Sequence, residues 1–145
     1  MAQADTGLTA TEDSSLSLTL RHPPANIEAE QALLGALLTN NRAYDRVSDF
    51  LSGMHFANQA NGRLFDIIAR RIESGQLADP VTLRAELVNS DVLEPVGGIA
   101  YMGKLLTSMV GIINAGDYGR TIYDAWIRRQ LIDIGEEVVN KAFGK

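Results

Sequence analysis

The chain contains no cysteine, which excludes both a disulfide framework and a thiolate metal site. Histidine is nearly as scarce. His22 and His55 stand far apart without H-x-x-x-H spacing, so no structural metal is expected. No apolar run approaches the roughly 20 residues that span a bilayer. No basic residue precedes Arg21, so a secretory signal is not expected either, and the cytoplasm is the expected compartment. A basic excess is also missing. Asp and Glu number 18 against 13 Lys and Arg, for a net charge of −5. A nucleic-acid-binding domain needs a concentrated basic face to displace phosphate counterions. The densest basic pairs here, Arg70-Arg71 and Arg128-Arg129, are scattered. Tight autonomous DNA binding is therefore not expected, and a protein partner fits the charge better. No segment combines strict alternation with β-branched residues, so the fold class is all-α.

Residues 1–21 are rich in Ser, Thr, Ala and Asp and contain no aromatic residue. They have too little apolar surface to offset ordering entropy and read as a disordered tail. The folded domain, 22–145, opens at Pro23-Pro24. Asn26 is placed as an N-cap, and Glu28 and Glu30 bring negative charge to the first turn, where the helix dipole favours it. Ile27, Leu33, Leu34, Leu37 and Leu38 recur at helical spacing, with Gly35 inviting close approach of a neighbouring helix. Tyr44, Val47, Phe50 and Leu51 predict a short second helix. Leu64, Phe65, Ile68 and Ile72 predict a third, stopping at Ser74-Gly75. Asp79-Pro80 is a helix start, with Leu83 and Leu87 facing inward. After the Pro95-Val96-Gly97-Gly98 turn, Ile99, Met102, Leu105, Leu106 and Met109 make the fifth helix.

The last helix, from about Ala115 onward, is the longest. At about 100° per residue, Tyr118, Ile122, Ala125, Ile132, Val139 and Phe143 share one stripe. Tyr123, Ile127, Leu131, Ile134 and Val138 form a second, roughly opposite. Asp124 and Arg128 on one side, and Asp133 and Glu137 on the other, separate the two. A surface helix needs one apolar stripe, so the second is expected to meet another helix. The pattern runs to Phe143, and the expectation is a truncated piece of a longer parent. Trp126 lies between the stripes and fits either the core or an interface anchor.

Chemistry is sparse. Gly98 to Lys104 spells G-x-x-x-x-G-K, but Leu105 stands where a phosphate-binding loop has the Ser or Thr that holds Mg²⁺. No apolar strand precedes it, and Ile99, Met102, Leu105 and Leu106 fit one helix face. A P-loop hydrolase is thus rejected. No nucleophile–base arrangement is recognisable. Glu28 with Glu30, and Glu136 with Glu137, diverge on a helix and read as solvated charges. His55 reads as a packing or capping residue.

Several spaced motifs together resemble the bacterial replicative DNA helicases of the DnaB type. They are Pro23-Pro24-x-Asn26-Ile27-Glu28-Ala29-Glu30-Gln31-Ala32-Leu33-Leu34-Gly35, Asp79-Pro80-Val81-Thr82-Leu83, and Leu93-Glu94-x-Val96-Gly97-Gly98-x-x-Tyr101. Ile113-Asn114-Ala115-x-Asp117-Tyr118-Gly119 and Arg128-Arg129-x-Leu131-Ile132 complete the series. The resemblance implies a helical N-terminal domain, a compact bundle of about six helices, whose final two helices form an antiparallel hairpin. Hairpins of two subunits pack together, and three such dimers form a collar over a hexameric ATPase ring. The last helix here would be the first arm, with the second arm, linker and ATPase domain absent. ATP and Mg²⁺ would then serve only the full-length parent, whose motor domain makes the main DNA contacts. This fragment itself would be non-catalytic.

The implied partners are a second copy of the chain, primase and a helicase loader, with no membrane. The candidate interface residues are Tyr123, Trp126, Ile127, Leu131, Ile134 and Val138. Residues Ala57 to Gly62 depart from the family, which more often has bulkier and basic residues there, and this leaves the start of the third helix open. The alternatives are a direct single-stranded DNA-binding module, which would want a basic groove with exposed aromatics, and the helicase-binding domain of a primase.

Overall fold

The structure, a computed structural model, describes residues 22–108 and 114–144. Among these residues there are five α-helices, four 3-10 turns and no strand. The helices are α1 (Ile27–Thr39), α2 (Gln59–Glu73), α3 (Pro80–Leu87), α4 (Tyr101–Ser108) and α5 (Ala115–Ala142). The tail at 1–21 and Met109 lie outside the described residues.

Helix α1 starts where the capping chemistry places it. The Asn26 side chain accepts from the Ala29 N–H at 2.9 Å, satisfying one of the donors that a helix start leaves unpaired. From Ala29 to Leu38 every residue except Gln31 is buried, so α1 is the central helix, enclosed by α2, α4 and α5. Ile27 falls outside this core and is exposed. The core gathers Leu33, Leu34 and Leu37 of α1 with Leu64, Phe65 and Ile68 of α2, Leu83 of α3, Leu105 of α4 and Ile122 of α5. Leu106, placed with the inward face of α4 by its spacing, is exposed instead.

The expected second helix is a 3-10 turn, Asn41–Arg46. Side chains at its entrance spend their hydrogen bonds on neighbouring backbone. Asn40 accepts from the Arg42 N–H, and Asn41 bridges the Leu37 and Ala78 carbonyls and the Ala78 N–H. Such local bonds compete with α-helical pairing. Tyr44, Val47 and Leu51 are nevertheless buried.

Helix α2 begins at Gln59, with the Asn58 side chain accepting from the Asn61 N–H. The small residues of this start have a packing reason. Ala60, Asn61 and Gly62 are buried, and a Cβ on Gly62 would collide with the backbone of Gly53. Helix α3 is capped as expected, Asp79 accepting from the Thr82 N–H at 2.9 Å, and that bond holds the Asp79 carboxyl below its ordinary range. The G-x-x-x-x-G-K run crosses a 3-10 turn and enters α4, with Gly97 and Gly98 both at positive φ. It is a turn into a helix, not a strand-to-helix phosphate cradle.

Candidate protein-interaction surface

Helix α5 is 28 residues long, about 42 Å at 1.5 Å per residue. Its two halves live in different environments. In the root, Ala115, Gly116, Gly119 and Ile122 are buried against α1 and the Asn41–Leu51 segment. The approach at Gly119 is close: a Cβ there would sit 2.5 Å from Val47 Cγ1 and 3.2 Å from Phe50 Cζ. From Leu131 to Gly144 every residue is exposed.

The apolar side chains of the outer half are therefore bare on both faces. Leu131 is 62% exposed, Ile134 55% and Val138 62% on one stripe. Ile132, Val139 and Phe143 on the other are 43%, 52% and 79% exposed. The first stripe closes the domain only through Tyr118, Ile122 and Ala125. Beyond the root neither stripe is covered.

The second stripe does not begin free. Tyr123 packs edge-on against Phe50 and His55, with ring centroids 6.0 and 4.8 Å apart. Trp126 meets the same His55 at 4.6 Å and Tyr123 at 5.5 Å. These two interface candidates thus belong to a partly buried aromatic cluster at the root. Ile127, Leu131, Ile134 and Val138 stand exposed further along. His55 is buried within the cluster, and the Ser52 N–H donates to its Nδ1 at 3.0 Å. Burial pulls its pKa below the ordinary histidine value. The nearby Arg129 charge adds to that fall, while the Ser52 backbone and Asp66 act the other way.

Beneath this surface, α1, α2 and α4 are tied by a polar network that sequence reasoning missed. Glu30 is 1% exposed, not solvated. Its carboxylate accepts from the Ala57 N–H at 2.7 Å, the Asn58 N–H at 3.2 Å and Asn61 Nδ2 at 3.0 Å. The Tyr101 hydroxyl donates to Asn61 Oδ1 at 2.6 Å and accepts from Gln31 Nε2 at 3.3 Å. Burial first, and then the charge of Glu30, push the Tyr101 pKa upward against the effect of its hydrogen bonds to Gln31 and Asn61, which keeps the hydroxyl a donor. A buried carboxyl among N–H donors is a fixed structural joint, because the buried Asn61 amide would be unsatisfied without it.

Each basic pair is split between body and solvent. Arg71 donates to the Leu77 carbonyl and pairs with Glu86 at 3.1 Å, while Arg70 is exposed. Arg129 donates to two backbone carbonyls, while Arg128 is exposed. The committed arginines do not add to a basic groove. Among the described residues no cluster of His, Asp or Glu could hold a metal ion, and no helix is long and apolar enough to cross a membrane.

Comparison with known proteins agrees with this geometry. Residues 22–124 match the family model of the DnaB-like helicase N-terminal domain. A replicative DNA helicase DnaB of Rickettsia typhi is 45% identical over 131 residues, covering 90% of this chain and 26% of the relative. The chain thus spans about a quarter of the length of the curated relatives it matches. The crystal structure of the N-terminal domain of DnaB helicase from Mycobacterium tuberculosis superposes with a TM-score of 0.79 at 30% identity, covering 85% of this chain and 88% of that one. A DnaB-like replicative helicase whose structure was described with its interactions with primase shares the fold. Its TM-score is 0.68 at 22% identity, over 83% of this chain and 28% of that one.

Proposed function

This chain belongs to the DnaB-like helicase N-terminal domain family, and from that premise we propose that it is the non-catalytic, partner-binding domain of a replicative DNA helicase. It joins subunits into a collar and offers a surface to primase. The observation that carries this reading is the outer half of α5, where seven large apolar side chains from Ile127 to Phe143 stand exposed. Most helical stability in proteins comes from packing an apolar face rather than from propensity. The free part of α5 has no such packing and carries Gly135 and several β-branched residues, which weaken it further. Its stability and its exposed surface both call for another helix.

The size of the gain supports this. Covering a fully exposed aliphatic side chain is worth about 1.5–3 kcal/mol. Burying Ile127, Leu131, Ile134 and Val138 would return about 3–6 kcal/mol once their partial burial is discounted, comparable with the lower estimates of association entropy. Coverage of Ile132, Val139 and Phe143 as well raises the gain to about 6–12 kcal/mol. The chemistry of unwinding, with ATP and Mg²⁺, belongs in this reading to a motor domain of the parent protein. A helicase loader is a further candidate partner of the collar.

Fluorescence anisotropy tests the reading. The chain should bind a labelled helicase-binding domain of primase and should not bind a labelled single-stranded oligonucleotide tightly at physiological salt. Submicromolar affinity for the oligonucleotide, without binding to the primase domain, would replace this reading with the single-strand-binding one.

A further inference from the structure

We propose that Arg129 is a positioning residue that clamps the root of α5 and so fixes the direction in which the exposed arm leaves the domain. The inference rests on the reading of that arm as an association surface. Among the described residues, Arg129 is the last of α5 to hydrogen-bond to the body. Its Nη1 donates to the Pro24 carbonyl at 2.8 Å and its Nη2 to the His55 carbonyl at 2.9 Å. Those acceptors lie 105 and 74 residues away in the chain, one in the segment before α1 and one in the turn that leads to α2. One guanidinium thus joins three separate parts of the fold at the point where α5 departs from it.

The chemistry of the clamp is particular to arginine. Its planar fork presents two N–H groups to two acceptors at once, whereas a lysine ammonium is a compact point charge on a flexible stem. Both acceptors are backbone carbonyls. Among the described residues no carboxylate forms an ion pair with Arg129, so the charge serves hydrogen-bond geometry rather than pairing. His55, whose carbonyl accepts from the fork, packs its ring against those of Tyr123 and Trp126, and this cluster limits sliding of the helix along the body. When arms of two chains pair, any tilt at this root becomes a rotation between the two domain bodies. The clamp therefore acts on the geometry of assembly.

Backbone hydrogen exchange on the dilute, monomeric chain tests this. In Arg129→Gln, protection of the amides from Ile127 to Ile132 should fall about tenfold or more, the worth of one charge-assisted hydrogen bond. Amides of Leu33 to Leu37 in α1 should keep theirs. Arg129→Lys should fall in the same direction, and Arg128→Gln, which removes an exposed charge one residue away, should leave the root unchanged. The proposal is overturned by unchanged protection in Arg129→Gln, by an equal loss in α1, by an equal effect of Arg128→Gln, or by failure of the Arg129 variants to fold. Because the arm is unpaired at this dilution, a chain that shows the local loss yet never associates would sink the association reading and leave the clamp standing.

Discussion

Replacing Glu30 by alanine removes the acceptor at the centre of the polar joint. Three donors lose their partner: the Ala57 and Asn58 N–H groups and the Asn61 side-chain amide. The first two lie close enough to the surface for water to replace part of the loss, whereas Asn61 is 0% exposed and its amide would stay stranded. Leaving a buried donor unsatisfied costs about 1–3 kcal/mol. Loss of a negatively charged acceptor beside the start of α2 adds about 1 kcal/mol. Glu30→Ala should therefore destabilise the domain by about 3 kcal/mol, a fall of about 10 °C in Tm for a domain of this size. Glu30→Gln keeps the volume and one acceptor but turns an amide toward donors, and about half the loss is expected. Urea denaturation followed by far-UV circular dichroism measures both. A Glu30→Ala variant within about 0.5 kcal/mol of the parent, the range of an ordinary surface change, would refute the joint.

The close approach at Gly119 predicts that Gly119→Ala destabilises despite the higher helix propensity of alanine. Val47 is 0% exposed and has no room to retreat. Overpacking of about 1–3 kcal/mol should outweigh a helix gain of about 1 kcal/mol, and a variant more stable in urea would contradict the packing. Asp79→Ala should cost about 1 kcal/mol through loss of the α3 cap, read as a shift of the same denaturation midpoint. His55 gives a pH dependence whose sign is fixed by burial. Its folded pKa lies below the unfolded value of about 6.5, so the unfolded chain takes up the proton first. Its contribution is complete above that pH and is lost as pH falls through the folded value. Replacing His55 with a non-titrating residue should flatten this part of the stability profile, and an unchanged slope would assign the effect elsewhere.

The elements were legible where their causes are local. Asn26, Asp79-Pro80 and Ser74-Gly75 declare helix ends within a few residues, and the periodicity of α2 and α5 is plain in the sequence. In the Tyr44–Leu51 segment the apolar spacing suits an α-helix, but Asn40 and Asn41 divert the backbone into a 3-10 turn. Glu30 could not be recognised as buried from its neighbours, since its partners come 27 to 31 residues later. The same holds for Arg129. The stripes of α5 were visible, but not the place along the helix where the body ends. That boundary depends on how far the aromatic cluster and the Arg129 clamp reach, and both draw on residues distant in sequence.

The central claim is that the outer half of α5 is a surface made to be covered by another chain. Sedimentation equilibrium over a wide concentration range, comparing the chain with a Leu131→Asp, Ile134→Asp, Val138→Asp variant, tests it most directly. The account predicts concentration-dependent association that the variant abolishes while the cooperative melt of the body is retained. Association of equal strength in both chains, or a parent chain that stays monomeric at the highest attainable concentration, would contradict it.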